Sequence, residues 1–136
     1  MFKTFKTEIA PTPEQIVRIN KTFGVCRFVY NFFIARNKEL YEKDKSYING
    51  NEFVKWLGHD FIPSNPEYQW IKDVYSRAMK KSVQNADYAF MQFFTGKSKY
   101  PKFKRKHDSD VTMYFYKNNP SDCLCERHRI KIPSLG

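Results

Sequence analysis

Apolar residues recur at helical spacing through the middle of this chain and at β-type spacing only near its two ends. That order restricts the fold more than any other feature, because each period needs its own kind of packing layer. Thr12-Pro13-Glu14-Gln15 opens the helical part. Thr12 suits a cap, Pro13 suits the first helical position, and Gln15 completes a capping box. Ile16, Ile19 and Phe23 follow at helical spacing. Gly24 then interrupts, as a kink or a C-terminal cap, and Val25, Val29, Phe32, Phe33, Arg36 and Leu40 resume the pattern. Two helices joined near a glycine have the layout of a helix-turn-helix, although that spacing is generic. Asn49-Gly50 signals a turn, Glu52 to Leu57 reads as a short helix, and Gly58 to Pro66 reads as a loop. Asn65-Pro66-Glu67 opens what reads as the longest helix, running to about Phe94. Its apolar face holds Ile71, Val74, Tyr75, Ala78, Ser82, Ala86, Ala89 and Phe93, and Lys72, Arg77, Lys80, Lys81 and Gln84 lie opposite. The facing stripes predict a core of Ile16, Ile19, Phe23, Val29, Phe32, Val74, Ala78, Ala86 and Phe90.

The ends read differently. Residues 2–9, 111–117 and 128–133 alternate or carry β-type composition, and Pro11 and Pro133 bound the outer two. The predicted fold is therefore α+β. It is a small β-barrel or sheet of about three to five strands, with a helical insertion after the first strand. Residues 1–10 and 97–136 form its β-part. Residues 11–96 form the insertion, with the helix-turn-helix-like segment at 12–42.

Composition narrows the class. The 136 residues include 13 Phe and 9 Tyr against 5 Gly, so the chain must fold to bury its rings. Lys and Arg number 24 against 14 Asp and Glu, a net charge of +10. A small, folded, basic and aromatic chain favours a polyanionic partner over a basic domain that has none. No apolar run reaches the roughly 20 residues of a membrane span. The N-terminus has no apolar signal region. Cys26, Cys123 and Cys125 make an odd set, which fits reduced thiols in a cytoplasm better than a disulfide framework.

The most informative local feature is residues 97–106. Lys97, Lys99, Lys102, Lys104, Arg105 and Lys106 occur there without an acid, interleaved with Tyr100, Pro101 and Phe103. The cations suit phosphates, and the rings either stack on bases or pin the segment to the core. The plainer alternative is a solvated charge run. On the long helix, Ser76, Arg77 and Lys80 occupy neighbouring turns, where a groove-facing helix would contact base edges or phosphates; a solvated face is the alternative. Cys123-Leu124-Cys125 with His128 lacks both the wider cysteine gap and the fourth ligand of a zinc site, so no metal or other cofactor is expected. Cys26 falls in the apolar pattern of its helix and reads as core. Asp108 and Asp110 have no third acid at a telling position, and His59, His107 and His128 have no nucleophile beside them. No catalytic set is expected.

Three segments together carry a family likeness. Ile9-Ala-Pro-Thr-Pro-Glu-Gln15 with Thr22-Phe-Gly-Val-Cys-Arg-Phe-Val-Tyr-Asn31 resembles the start of TnpB (OrfB) proteins of bacterial insertion sequences. Tyr100-Pro-Lys-Phe-Lys-Arg-Lys106 is similar to that family's Y/F-P-x-F-K-x-K element, and Arg129-Ile-Lys-Ile-Pro-Ser-Leu-Gly136 to its R-I-x-I/L-P-K-L-G element, with Ser134 in place of the basic residue. The resemblance implies the N-terminal region of a transposon-encoded RNA-guided DNA nuclease. That region is a wedge β-barrel with an inserted recognition lobe, and it holds guide RNA and duplex target DNA and reads a short motif beside the target. Carried over by position, the motif-reading surface involves Tyr47, Ser76, Arg77, Lys80 and Lys117. The family's RuvC-like nuclease domain and zinc ribbon lie beyond the equivalent of Gly136, so this chain is expected to bind without cutting. The alternatives are a decayed, non-binding transposase fragment and a small stand-alone DNA-binding transposase or nuclease.

Overall fold

The computed structural model describes residues 3–106, 115, 125–132 and 135. Helix α1 spans Pro13–Asp44, 32 residues without a break. It starts where the sequence places it. Thr12 Oγ1 accepts from the Gln15 amide at 3.3 Å, and Gln15 Oε1 accepts from the Thr12 amide at 2.9 Å. It ends at Lys45, whose backbone is left-handed (φ 62°) and whose N–H donates to the Tyr41 carbonyl. The chain then turns. Asn37, buried in α1, donates to the Ile48 carbonyl at 3.1 Å and accepts from the Ile48 amide at 2.8 Å. Asn49 caps α2 (Gly50–Trp56) in a second capping box with Glu52. A π-helical turn, Leu57–Phe61, a short α3 (Ile62–Ser64) and a 3₁₀ segment, Pro66–Asp73, carry the chain back. Helix α4 spans Ser76–Phe94.

Helices α1 and α4 run parallel. Cys26 pairs with Ser82 through a 2.6 Å hydrogen bond from the Ser82 hydroxyl to the Cys26 carbonyl, and Phe33 meets Phe90 ring to ring at 5.8 Å, so the numbers rise together on both helices. The return limb lies alongside. Trp70 reaches Phe28, and Lys21 pairs with Asp73 at 3.2 Å. The core between these layers is Val25, Val29, Tyr30, Phe33 and Ile34 of α1, Phe53 of α2, Leu57, Ile62 and Ile71 of the return limb, and Val83, Ala86 and Phe90 of α4. Among the described residues no helix is long and apolar enough to cross a membrane.

Several expectations are corrected. The predicted β-barrel or sheet is overturned: the described residues are mostly helical and contain no strand. Residues 3–9 carry no regular structure and are exposed. A short extended segment with no partner strand has nowhere to place its backbone hydrogen bonds. Of 128–133, residues 128–132 are described, and there Ile130 makes a single antiparallel bridge to Cys125 and no strand forms. Of 111–117 only Phe115 is described; it has no regular structure and stacks on Tyr75 at 5.4 Å. Gly24 does not end the first helix, so the segment 12–42 holds one continuous helix instead of two joined by a turn. Residues 58–64 are helical instead of a loop. The helix expected from Asn65 to Phe94 is broken at Val74, which is extended (φ −113°, ψ 169°), leaving α1 the longer helix. In the predicted core, Val29, Ala78, Ala86 and Phe90 are buried and Ile19, Phe23, Phe32 and Val74 half-buried, but Ile16, close to the start of α1, is 45% exposed.

Candidate nucleic-acid interface

After α4 the chain reverses. Gly96, at φ 77°, takes the left-handed turn that glycine adopts without strain. Residues 97–106 then descend along α1. Tyr100 packs on Phe90 and Phe93, with ring centroids 5.5 and 5.2 Å away. Four residues on, Asn31 of α1 clamps the backbone of Lys104 on both sides. Its amide nitrogen donates to the Lys104 carbonyl at 2.9 Å, and its oxygen accepts from the Lys104 amide at 2.7 Å. The Lys104 ammonium lies over the Tyr30 ring, 4.3 Å from its centroid. The segment is thus anchored by its backbone and the Tyr100 ring, while Lys97, Lys99, Lys102, Lys104, Arg105 and Lys106 are all exposed.

The same segment brings Phe103 to an open groove of about 940 Å³. The floor is a stripe of α1 at helical spacing, through Lys21, Gly24, Phe28, Asn31 and Ala35. Phe61, Tyr68 and Trp70 enter from the return limb. Arg27 and Lys21 are its cationic lining residues, and none of the lining residues is acidic.

The other sequence candidates fall into two settings. Ser76, Arg77 and Lys80 are exposed on the first turns of α4, a helix that begins with no side-chain cap and no acidic residue in its first turn. Tyr47 is half-buried. Its hydroxyl donates to Asp87, and its ring meets Phe33, Phe90 and Phe94. Asp87 also accepts from the Gly50 amide at 2.9 Å, so one carboxylate ties the turn before α2 to α4. Burial first, then the hydrogen bond and charge of Asp87, push the Tyr47 phenol far above its usual range. That hydroxyl is committed inside the fold, and Tyr47 positions α2 and α4. Lys117 lies outside the described residues, as do Asp108, Asp110, His107 and Cys123. Cys125 and His128 are exposed, and no three His, Cys, Asp or Glu side chains gather as metal ligands would among the described residues. Cys26 is buried; desolvation pushes its thiol up to about 11, with Lys104 pulling the other way.

Sequence reasoning missed Asn31, Tyr30, Asp87 and the groove. A polar Asn31 inside a run of aromatic residues is a weak signal that a backbone docks there. The groove leaves none, since its parts are more than 70 residues apart from Lys21 to Phe103.

Comparison with known proteins agrees with the resemblance. Residues 1–46 match the helix-turn-helix domain of OrfB proteins from insertion sequences of the IS605 type. InsQ of Escherichia coli (strain K12), named as a proposed RNA-guided DNA endonuclease, is 29% identical over 98% of this chain and 32% of its own length. A Streptomyces pristinaespiralis protein with a similar name is 28% identical over 79% of this chain and 26% of its own. The chain therefore spans about a third or less of these two relatives. Virulence protein VsdF of Salmonella dublin is 34% identical over 79% of this chain and 96% of its own length. With the matched domain on the segment that folds as α1, and a relative aligned along nearly its whole length, this chain belongs to the OrfB (TnpB) family of insertion-sequence proteins.

Proposed function

We propose that these 136 residues form a nucleic-acid-binding module of a transposon-associated RNA-guided nuclease, engaging guide RNA and duplex target DNA without cutting either. The observation that carries this reading is the tract 97–106. Its backbone is held at Asn31, and its six basic residues are exposed with no acid among them. Family membership supplies the kind of polyanion. Ser76, Arg77 and Lys80 are the proposed motif readers on α4, with Lys117 completing the set by position. Arg77 suits a guanine edge. Tyr47 holds the elements that present them.

Each phosphate neutralised adds a little under one unit to the salt dependence of binding. Replacing Lys97, Lys99 and Lys102 with Gln should therefore flatten the slope of log affinity against log salt by about 2–3 units. Gel shifts across salt, with RNA and with duplex DNA, measure it. Nucleic acid should remain intact after long incubation with magnesium or manganese, since metal-assisted cleavage needs a set of carboxylates holding the ion. A wild-type slope near zero, or cutting that depends on metal, would overturn the reading.

A further inference from the structure

Charge explains attraction to phosphates, but it does not explain why Phe103, in the middle of the basic tract, is 56% exposed and Trp70 37% exposed. Both line the groove on α1. A single exposed ring needs no explanation, but exposed rings gathered in one groove mark a surface that another molecule covers. Three features specify that molecule. The lining is aromatic, through Phe28, Trp70 and Phe103, so it offers flat faces. It is cationic and acid-free, through Lys21 and Arg27, although Lys21 also pairs with Asp73. It is continuous with the basic tract, because Asn31 both lines the groove and clamps Lys104. Its volume, about 940 Å³, is at the upper end of ligand-sized cavities, which run to about 1,000 Å³.

We propose that this groove takes unpaired nucleobases of a single strand, stacked against Trp70 and Phe103, while the neighbouring tract holds the backbone phosphates. An aliphatic peptide would suit the rings but leave the cations unmatched. A paired duplex keeps its base faces inside the stack and offers the rings nothing to cover. Stacking platforms beside a basic track are the general solution for single strands, and each stacked base contributes substantially to affinity. This inference rests on the proposed nucleic-acid-binding role but adds to it a distinct surface and a preference for unpaired bases.

Two variants test it on the full chain. Trp70→Ala removes a platform. Gly24→Leu fills the floor instead: Gly24 lines the groove, and a Cβ built there meets nothing within 4 Å, so the added side chain starts in open space. The probes are a single strand of about 12 unstructured nucleotides and a duplex of about 12 base pairs, within the site sizes of single-strand binders. Both are fluorescein-labelled and titrated at one salt concentration. Both variants should bind the single strand about tenfold or more weakly and the duplex within about twofold of wild type, with unchanged helical circular dichroism. The Lys97, Lys99 and Lys102 triple variant should weaken both probes. If Gly24→Leu, folded, holds the single strand as tightly as wild type, the groove inference falls and the tract-based reading stands. Wild type binding the duplex alone would overturn the groove inference in the same way. If wild type binds neither probe, both fall together.

Discussion

Two asparagines six residues apart on α1 do the same job at different heights. Asn37 satisfies both backbone groups of Ile48, and Asn31 both backbone groups of Lys104. Each amide substitutes for a strand partner, letting a non-helical segment lie on a helix without unpaired backbone groups. Tyr47 completes the arrangement at the upper end through Asp87. Tyr47→Phe should cost about 1–3 kcal/mol, because the hydroxyl donates to a carboxylate. Denaturant melts at neutral pH measure that loss. The pH dependence has a definite sign. The phenol of Tyr47 is raised in the folded state above its ordinary value of 10.0, chiefly by burial. Its contribution is fully present below about pH 10 and declines as the pH rises beyond it. Wild type should lose stability on that alkaline limb, and Tyr47→Phe should lose less. Equal slopes for the two proteins above about pH 10 would remove Tyr47 as the source. None of these pairs was legible in the sequence, since Asn31 and Lys104 are 73 positions apart and Tyr47 and Asp87 40.

The elements were legible where a local signal sets them. The Thr12 and Gln15 capping box starts α1, as the sequence indicates, and a short helix forms close to 52–57. Reading failed where packing overrides propensity. A mid-helix glycine costs about 1 kcal/mol, enough to suggest a break at Gly24, yet Val25 and Val29 just beyond it are buried and hold the helix together. The break at Val74 went unseen for the opposite reason, because Ile71, Val74 and Ala78 keep a helical spacing through a change of backbone. The β-type ends misled because alternation describes one strand's faces and says nothing about whether a partner strand is present. Helix continuity at Gly24 makes a direct prediction. Gly24→Ala adds a methyl that meets no atom within 4 Å and removes backbone freedom from the unfolded chain. It should stabilise the fold by about 0.5–1 kcal/mol, raising Tm by about 2–4 °C. A loss of stability would mean that the helix turns or kinks at this point in solution.

At the scale of the molecule, stability and recognition draw on different parts of the chain. Beyond Phe90, Pro101 and Leu135 alone are buried among the described residues. The parallel α1–α4 pair and the return limb supply the core cluster, which closes before the basic tract begins. The tract is then added onto a finished surface, through Asn31, Tyr30 and the end of α4. A chain ending at Lys106 should therefore keep its helices and unfold cooperatively. What it loses among the described contacts is the burial of Leu135, worth about 1.5–3 kcal/mol, and the stack of Phe115 on Tyr75, worth about 0.5–1.5 kcal/mol. A domain with ordinary stability of about 5–15 kcal/mol survives that loss. Circular dichroism and urea unfolding of residues 1–106 beside the full chain decide the matter. A shortened chain with helical signal but no cooperative transition would show that residues beyond 106 help to close the core, and the separation of folding from binding would fail with it.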